Sequence, residues 1–231
     1  IGIVLLPDLS RKLRAGDLTG SRHALNRAAE MSMALTLPCA VALIVIPAPL
    51  VEILFQRGTF GAADTASTAA ALGVYALGLP AFVLQKVLQP LFFAREDTGR
   101  PFRYALVSLT VNIGLAFGLA PAIGYLAAAL GATCAAWSMV VALMWGARNM
   151  GAAARFDARF KARVWRMGLS SAIMGAALWG GMSLLEPALD MAGARYGALG
   201  ALILLGMVVY FGACEILGAV RFRELRVALR R

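Results

Sequence analysis

Six stretches of this chain run for 17 to 29 residues with no more than one charged side chain apiece. They are Met31 to Phe55 with Glu52, Ala66 to Ala94 with Lys86, Tyr104 to Ala120, Ala122 to Ala147, Val164 to Leu185 with Arg166, and Tyr196 to Val220 with Glu215. A helix needs about 20 apolar residues to cross a bilayer, and each stretch comes close to that. Backbone facing lipid must satisfy its own hydrogen bonds, which leaves helices or closed barrels. The alternating segments of about ten residues that build a barrel are absent from this sequence. The expected fold class is therefore all-α: an integral membrane protein, a polytopic helical bundle.

Composition supports the same reading. Apolar residues make up 61% of the 231 positions without the 24 glycines, and charged residues 15%. A soluble domain is roughly 45–50% apolar with glycine included, and about 25% charged. A chain this short leaves about 30% of its surface exposed on folding, so one aqueous core cannot hide that much hydrocarbon. Disorder, collagen, a disulfide scaffold and an ordinary soluble enzyme are excluded as main readings. Cys39, Cys134 and Cys214 all lie in apolar stretches, far apart in sequence, and read as buried inert thiols. His23 is the one histidine, so neither a metal site nor a histidine-based catalytic site is expected.

The net charge of +10 raises the question of nucleic acid. The positions of the basic residues answer it. Arg11, Lys12, Arg14, Arg22 and Arg27 precede the first window; Arg95, Arg100 and Arg103 follow the second. Arg148, Arg155, Arg159, Lys161, Arg163 and Arg166 surround the gap after the fourth, and Arg221, Arg223, Arg226, Arg230 and Arg231 form the tail. Six crossings place all of these on one side: 19 of the 22 Lys and Arg, against Arg57 and Arg195 on the other. Basic residues mark the cytoplasmic side. The chain is expected to enter and leave there, with no nucleic-acid partner needed to explain its charge.

Residues 1–6, Ile-Gly-Ile-Val-Leu-Leu, are too few to span and lack a basic leader. They read as the tail of a truncated transmembrane helix. Residues 7–30 read as a cytoplasmic amphipathic helix or hairpin, with Leu13, Leu18 and Leu25 resting on the membrane. Residues 148–163 read as a cytoplasmic basic loop and 221–231 as a cytoplasmic basic tail. Prolines 38, 47, 49, 80 and 90 interrupt the first two windows, and Pro121 separates the third from the fourth. Repeated kinks suit a transporter with discontinuous helices, although proline and glycine are common in membrane helices generally.

Particular strings narrow the class. LPDLSRK (Leu6 to Lys12), LFQRGTF (Leu54 to Phe60), GLPAFVLQKVLQPLFFAREDTGRP (Gly78 to Pro101) and SLTVNIGLAFGL around Asn112 resemble the MurJ/MviN family of lipid II flippases. That family is related to the MATE-type drug exporters and the polysaccharide flippases. The likeness is concentrated between Leu6 and about Trp145. It implies a MATE-like C-terminal lobe of four helices over 31–147, plus two extra C-terminal helices over 164–220. It also implies a bacterial inner membrane and a lipid-linked cell-wall precursor as cargo, an undecaprenyl-pyrophosphate disaccharide-peptide. Membrane lipids and an N-terminal lobe outside this sequence are the other implied partners. The family's best-known cargo-binding arginines lie on its first, second and eighth helices. None of those positions falls in this sequence, so none is carried over.

Lys86 stands out among individual residues. It precedes Arg95 by nine positions, about 13 Å of helix. A charge that deep costs roughly 2.5–3.5 kcal/mol on insertion scales, so it is expected to face a cavity or a partner, or to snorkel. Gln85 accompanies it, and Gln89 shares its face at i+3. Asn112 is expected to line the cavity, bind a coupling ion or make an interhelical hydrogen bond. Arg95, Arg100 and Arg103, with Asp97 and Thr98, form a turn that meets cargo or lipid phosphates as a gate, or serves topology and capping. Glu52 and Arg57 are candidates for a pair at the outer mouth, and Asp64 for a helix cap.

The spans contain no Asp. No cofactor or metal is expected; a coupling ion (Na+ or H+) or the membrane potential is the expected drive. The leading reading is a lipid II flippase working by alternating access. The alternatives are a polysaccharide or MATE-type drug transporter, or a membrane prenyl-phosphate transferase. The transferase would need acidic or histidine clusters at one membrane face.

Overall fold

The computed structural model describes residues 2–151, 154–189 and 193–219. The expected basic tail 221–231, with its five arginines, lies outside the described residues. Among those described there are helices and no strands: α1 (Gly2–Arg14), α2 (Leu18–Val45), α3 (Pro47–Phe55), α4 (Ala62–Ala76), α5 (Leu79–Phe93), α6 (Gly99–Ile123), α7 (Leu126–Ala147), α8 (Ala158–Leu189) and α9 (Arg195–Ile216). Six spans are long and apolar enough to cross a membrane: Leu18–Val45, Ala62–Phe93, Gly99–Ile123, Leu126–Met150, Ala158–Pro187 and Arg195–Ile216.

The six expected windows thus map onto six spans, with shifted edges. The first helix starts thirteen residues upstream of Met31, because the polar stretch Leu18 to Glu30 continues the same helix as α2. Residues 7–30 are accordingly shared between the end of α1, a turn at residues 15–17 and the start of α2. Leu25 is fully buried rather than resting on a membrane surface, while Leu18 is exposed. The first window breaks at Ile46 (φ −120°, ψ 41°). Pro47 offers no N–H to the preceding turn and pushes the residue before it out of helical geometry. Pro121 does not end the third span. It sits in the last turn of α6, where a missing N–H costs one bond, and the stop comes at Gly124 with φ +57°, a backbone state that glycine adopts without penalty.

The described chain divides into two compact units. The first comprises residues 1–36 and 78–162. In it α6 and α7 form an antiparallel hairpin along which Tyr104 lies on Gly146, Ser108 on Ala135 and Asn112 on Gly131. α7 is the buried centre, lined by Ala127, Ala129, Gly131, Ala135, Ala136 and Ala147. Small residues let backbones approach where lipid offers no hydrophobic drive to association. α5 packs on α7, α1 packs on α5, and Leu9, Leu88, Leu91 and Phe92 fill the core. Phe92 meets Tyr104 edge-on, with centroids 6.1 Å apart. At the end of α1, Asp8 accepts from Lys12 Nζ at 2.6 Å and Arg11 Nη2 at 2.8 Å.

The second unit comprises residues 37–77 and the described residues from 163 to 219. α3 packs on α4 and α9. Gly175 receives Val41, Gly181 receives Leu202 and Leu205, and Gly206 receives Leu178. These three glycines of α8 and α9 therefore serve small-residue packing, while Trp179, Leu184 and Val208 remain exposed. Cys39 and Cys134 are exposed and Cys214 is buried. The expectation of three buried thiols holds for Cys214 alone. Cys39 and Cys134 are exposed on the apolar helices α2 and α7.

Candidate functional site

In the first unit α5, α6 and α7 line an open cavity of about 250 Å³. Its polar wall is Gln85 of α5 with Ser108 and Asn112 of α6; Phe82, Leu109 and alanines of α7 supply the apolar wall. Asn112 is thirteen residues from Gly99 and eleven from Ile123, so roughly 20 Å and 17 Å of helix separate it from the two ends of α6. The cavity is a mid-span feature.

Two of its polar groups join helices. Gln85 Nε2 donates to the Ala136 carbonyl at 2.9 Å, and Ser108 Oγ donates to the Ala135 carbonyl at 2.7 Å. Each side chain thereby pins its own helix to α7. Asn112 was a candidate for such a bond, yet its half-buried amide has no hydrogen-bond partner among the described residues. The amide faces the cavity, and its oxygen lies against Gly131. The amide thus keeps its donors and acceptor uncommitted among the described residues. Ser108 was missed in the sequence, although it precedes Asn112 by four residues and so shares its helix face.

Lys86 and Gln89 do not line this cavity. Lys86 follows Gln85 by one residue, which turns it about 100° around the helix. It is exposed, with no ion pair or hydrogen bond among the described residues. Gln89 is half-buried on the same side. The structure separates two features: a neutral polar cavity, and a lone cation on an adjoining face of α5.

The three arginines proposed as one gate are in three different states. Arg95 is half-buried; its Nη1 donates to the Leu91 carbonyl at 3.0 Å and its Nη2 to the Met150 carbonyl at 3.1 Å. Burial draws its guanidinium below the usual arginine value. It is a tie between the end of α5 and the turn after α7. Arg100 pairs with Asp97, Nε to Oδ2 at 3.2 Å, while Asp97 Oδ1 accepts the Arg100 N–H and caps α6. Only Arg103 is exposed without a partner among the described residues.

In the second unit Glu52 and Arg57 do not pair. Arg57 Nη2 donates to the Leu54 carbonyl at 2.8 Å. A spacing of five residues sets the two side chains about 140° apart around a helix, and α3 ends at Phe55. Asp64 does cap α4, its carboxylate accepting the Gly61 N–H at 3.0 Å.

A family model described as lipid II flippase MurJ matches residues 1–194. The chain belongs to the lipid II flippase MurJ family. Among MurJ relatives, the probable lipid II flippase of Rhizobium tropici is 36% identical over 100% of this chain and 44% of its own length. The one of Vibrio cholerae is 30% identical over 99% of this chain and 43% of its own. A solved lipid II flippase MurJ in an inward closed conformation has the same fold, with a TM-score of 0.76 at 24% identity over 97% of this chain and 43% of that one. The chain thus spans less than half the length of these MurJ relatives. Six membrane-length helices and MurJ membership make it a multi-pass membrane protein.

Proposed function

We propose that this chain is part of a lipid II flippase, moving a lipid-linked peptidoglycan precursor from the inner to the outer leaflet of a bacterial inner membrane. The observation that carries the reading is the family match over residues 1–194, on a chain with six membrane-length helices. Alternating access requires a second lobe to rock against this one, and the MurJ relatives are more than twice as long as the matched region. A transporter rather than a membrane transferase also accords with the neutral cavity lining of Gln85, Ser108 and Asn112.

In this reading Lys86 faces the cargo path and attracts the pyrophosphate, while Gln89 and Asn112 offer hydrogen bonds to the head group. Arg103 is the remaining phosphate contact at the basic end, since Arg95 and Arg100 are engaged. The one-sided distribution of basic residues supports a cytoplasmic C-terminus. The drive is a Na+ or H+ gradient or the membrane potential.

The test is complementation of a flippase-depleted strain by the full-length protein. Lys86→Ala should fail to restore growth at normal membrane levels, and Lys86→Arg should restore it in part. Normal growth with Lys86→Ala at normal expression would overturn the role of Lys86. Failure of the unaltered protein to complement would overturn the flippase reading.

A further inference from the structure

α2 presents Arg22, Asn26 and Glu30 at four-residue steps, so the three side chains stack along one helix face. All three meet the segment that leads from α7 into α8. Asn26 is 4% exposed. Its Nδ2 donates to the Arg155 carbonyl at 3.2 Å and to the Arg22 carbonyl at 2.8 Å, and its Oδ1 accepts the Asp157 N–H at 2.9 Å. Arg22 pairs with the Asp157 carboxylate, and Arg159 approaches Glu30 at 3.8 Å. Between the two backbone groups that Asn26 holds, Phe156 stacks on Phe160 with centroids 4.3 Å apart, and Phe160 is buried.

The chemistry of this contact is specific. The segment lacks a sheet or helix partner for its Arg155 carbonyl and Asp157 N–H, and buried backbone groups must be satisfied. A carboxamide has both a donor and an acceptor on one rigid plane. It can therefore satisfy the backbone groups on either side of Phe156 at once, as a neighbouring strand would. Aspartate lacks the donor and leucine lacks both.

The location supplies the consequence. α2 leaves the first unit after Thr36 and α8 leaves it after Ala162, six residues beyond Glu30 and five beyond Asp157. We propose that Asn26 is the pin of a fixed joint between α2 and the start of α8 within the first unit. It holds residues 155–159 on the Arg22–Glu30 face of α2, so that this contact stays closed throughout the transport cycle. Asn26 is a positioning residue; it touches no cargo.

Hydrogen exchange on the full-length protein in nanodiscs tests the joint without any cargo, so its outcome is separate from that of the flippase reading. Asn26→Ala and Asn26→Asp should each raise exchange of residues 154–162 by about tenfold or more, with the α6–α7 hairpin still protected. Should Asn26→Ala fail to insert, Asp157→Pro removes the accepted N–H and carries the same expectation. A short bifunctional thiol reagent across Arg22→Cys and Asp157→Cys should restore protection to the Asn26→Ala protein and leave transport intact. Unchanged exchange in the Asn26 variants would overturn the proposal. So would loss of transport on cross-linking, since that would mean the contact has to open.

Discussion

A Cβ on Gly131 would stand 2.9 Å from both the backbone and the side-chain oxygen of Asn112. That distance fixes how closely α6 and α7 approach beside the cavity. Gly131→Ala should therefore push the hairpin apart and cost about 1–3 kcal/mol, the usual range for overpacking. Gly114 lies on the same hairpin with open space around it, so Gly114→Ala should be neutral or gain roughly 0.5–1 kcal/mol. Thermal unfolding of the two variants in one detergent reads the contrast, and equal shifts would contradict it.

Asn112 and Gln85 should part company in the same way. Gln85→Leu removes a bond between α5 and α7 and should cost about 0.6 kcal/mol, up to about 1.7, as measured for polar contacts between membrane helices. Asn112→Leu removes no bond within the described chain, so its melting temperature should hold or rise. Transport should fall all the same, because the leucine fills the cavity and takes away its free amide. Complementation together with a melting curve separates these outcomes.

At the basic end, Arg95→Ala should destabilise by about 1–3 kcal/mol, because the Leu91 and Met150 carbonyls lose a partly buried donor. Arg103→Gln should leave stability within about 0.5 kcal/mol and affect only cargo or lipid binding. Equal stability losses in the two variants would show that Arg103 is structural as well.

Acid should act on the end of α1. The Lys12 ammonium, with help from Arg11, holds the Asp8 carboxyl below its ordinary value of 3.8. A carboxyl depressed in the folded state adds stability above that ordinary value and loses it as pH falls through the lower folded one. Carbon NMR of the Asp8 carboxyl should give a midpoint below 3.8, moving back up in Lys12→Met. A midpoint that ignores Lys12 would contradict the ion pair.

The features legible in the sequence were those that repeat along one segment. Absence of charge over about 20 residues is enough to mark a span, and family strings carried the lobe. Edges were harder. Leu18 to Glu30 is polar, so hydropathy ends the first span where the helix does not, and a proline at 121 looks like a stop until its place in the last turn is known. Contacts between distant segments were hardest to read. Nothing local marks Gln85 as the residue that reaches Ala136, or Asn26 as the residue that holds backbone 129 and 131 positions away. Glu52 and Arg57 show the opposite error, since nearness in sequence suggested a pair, whereas α3 ends at Phe55 and Arg57 turns back to the Leu54 carbonyl.

The break at Ile46 matters for how the chain bends. Pro47 offers no N–H, so the Leu43 carbonyl has no amide to receive in the helical pattern, two residues before the Leu18–Val45 span ends. A neighbouring side chain, water or a lipid head group can take that oxygen instead. With one backbone bond already given up, bending the chain between α2 and α3 takes less work than bending an unbroken helix.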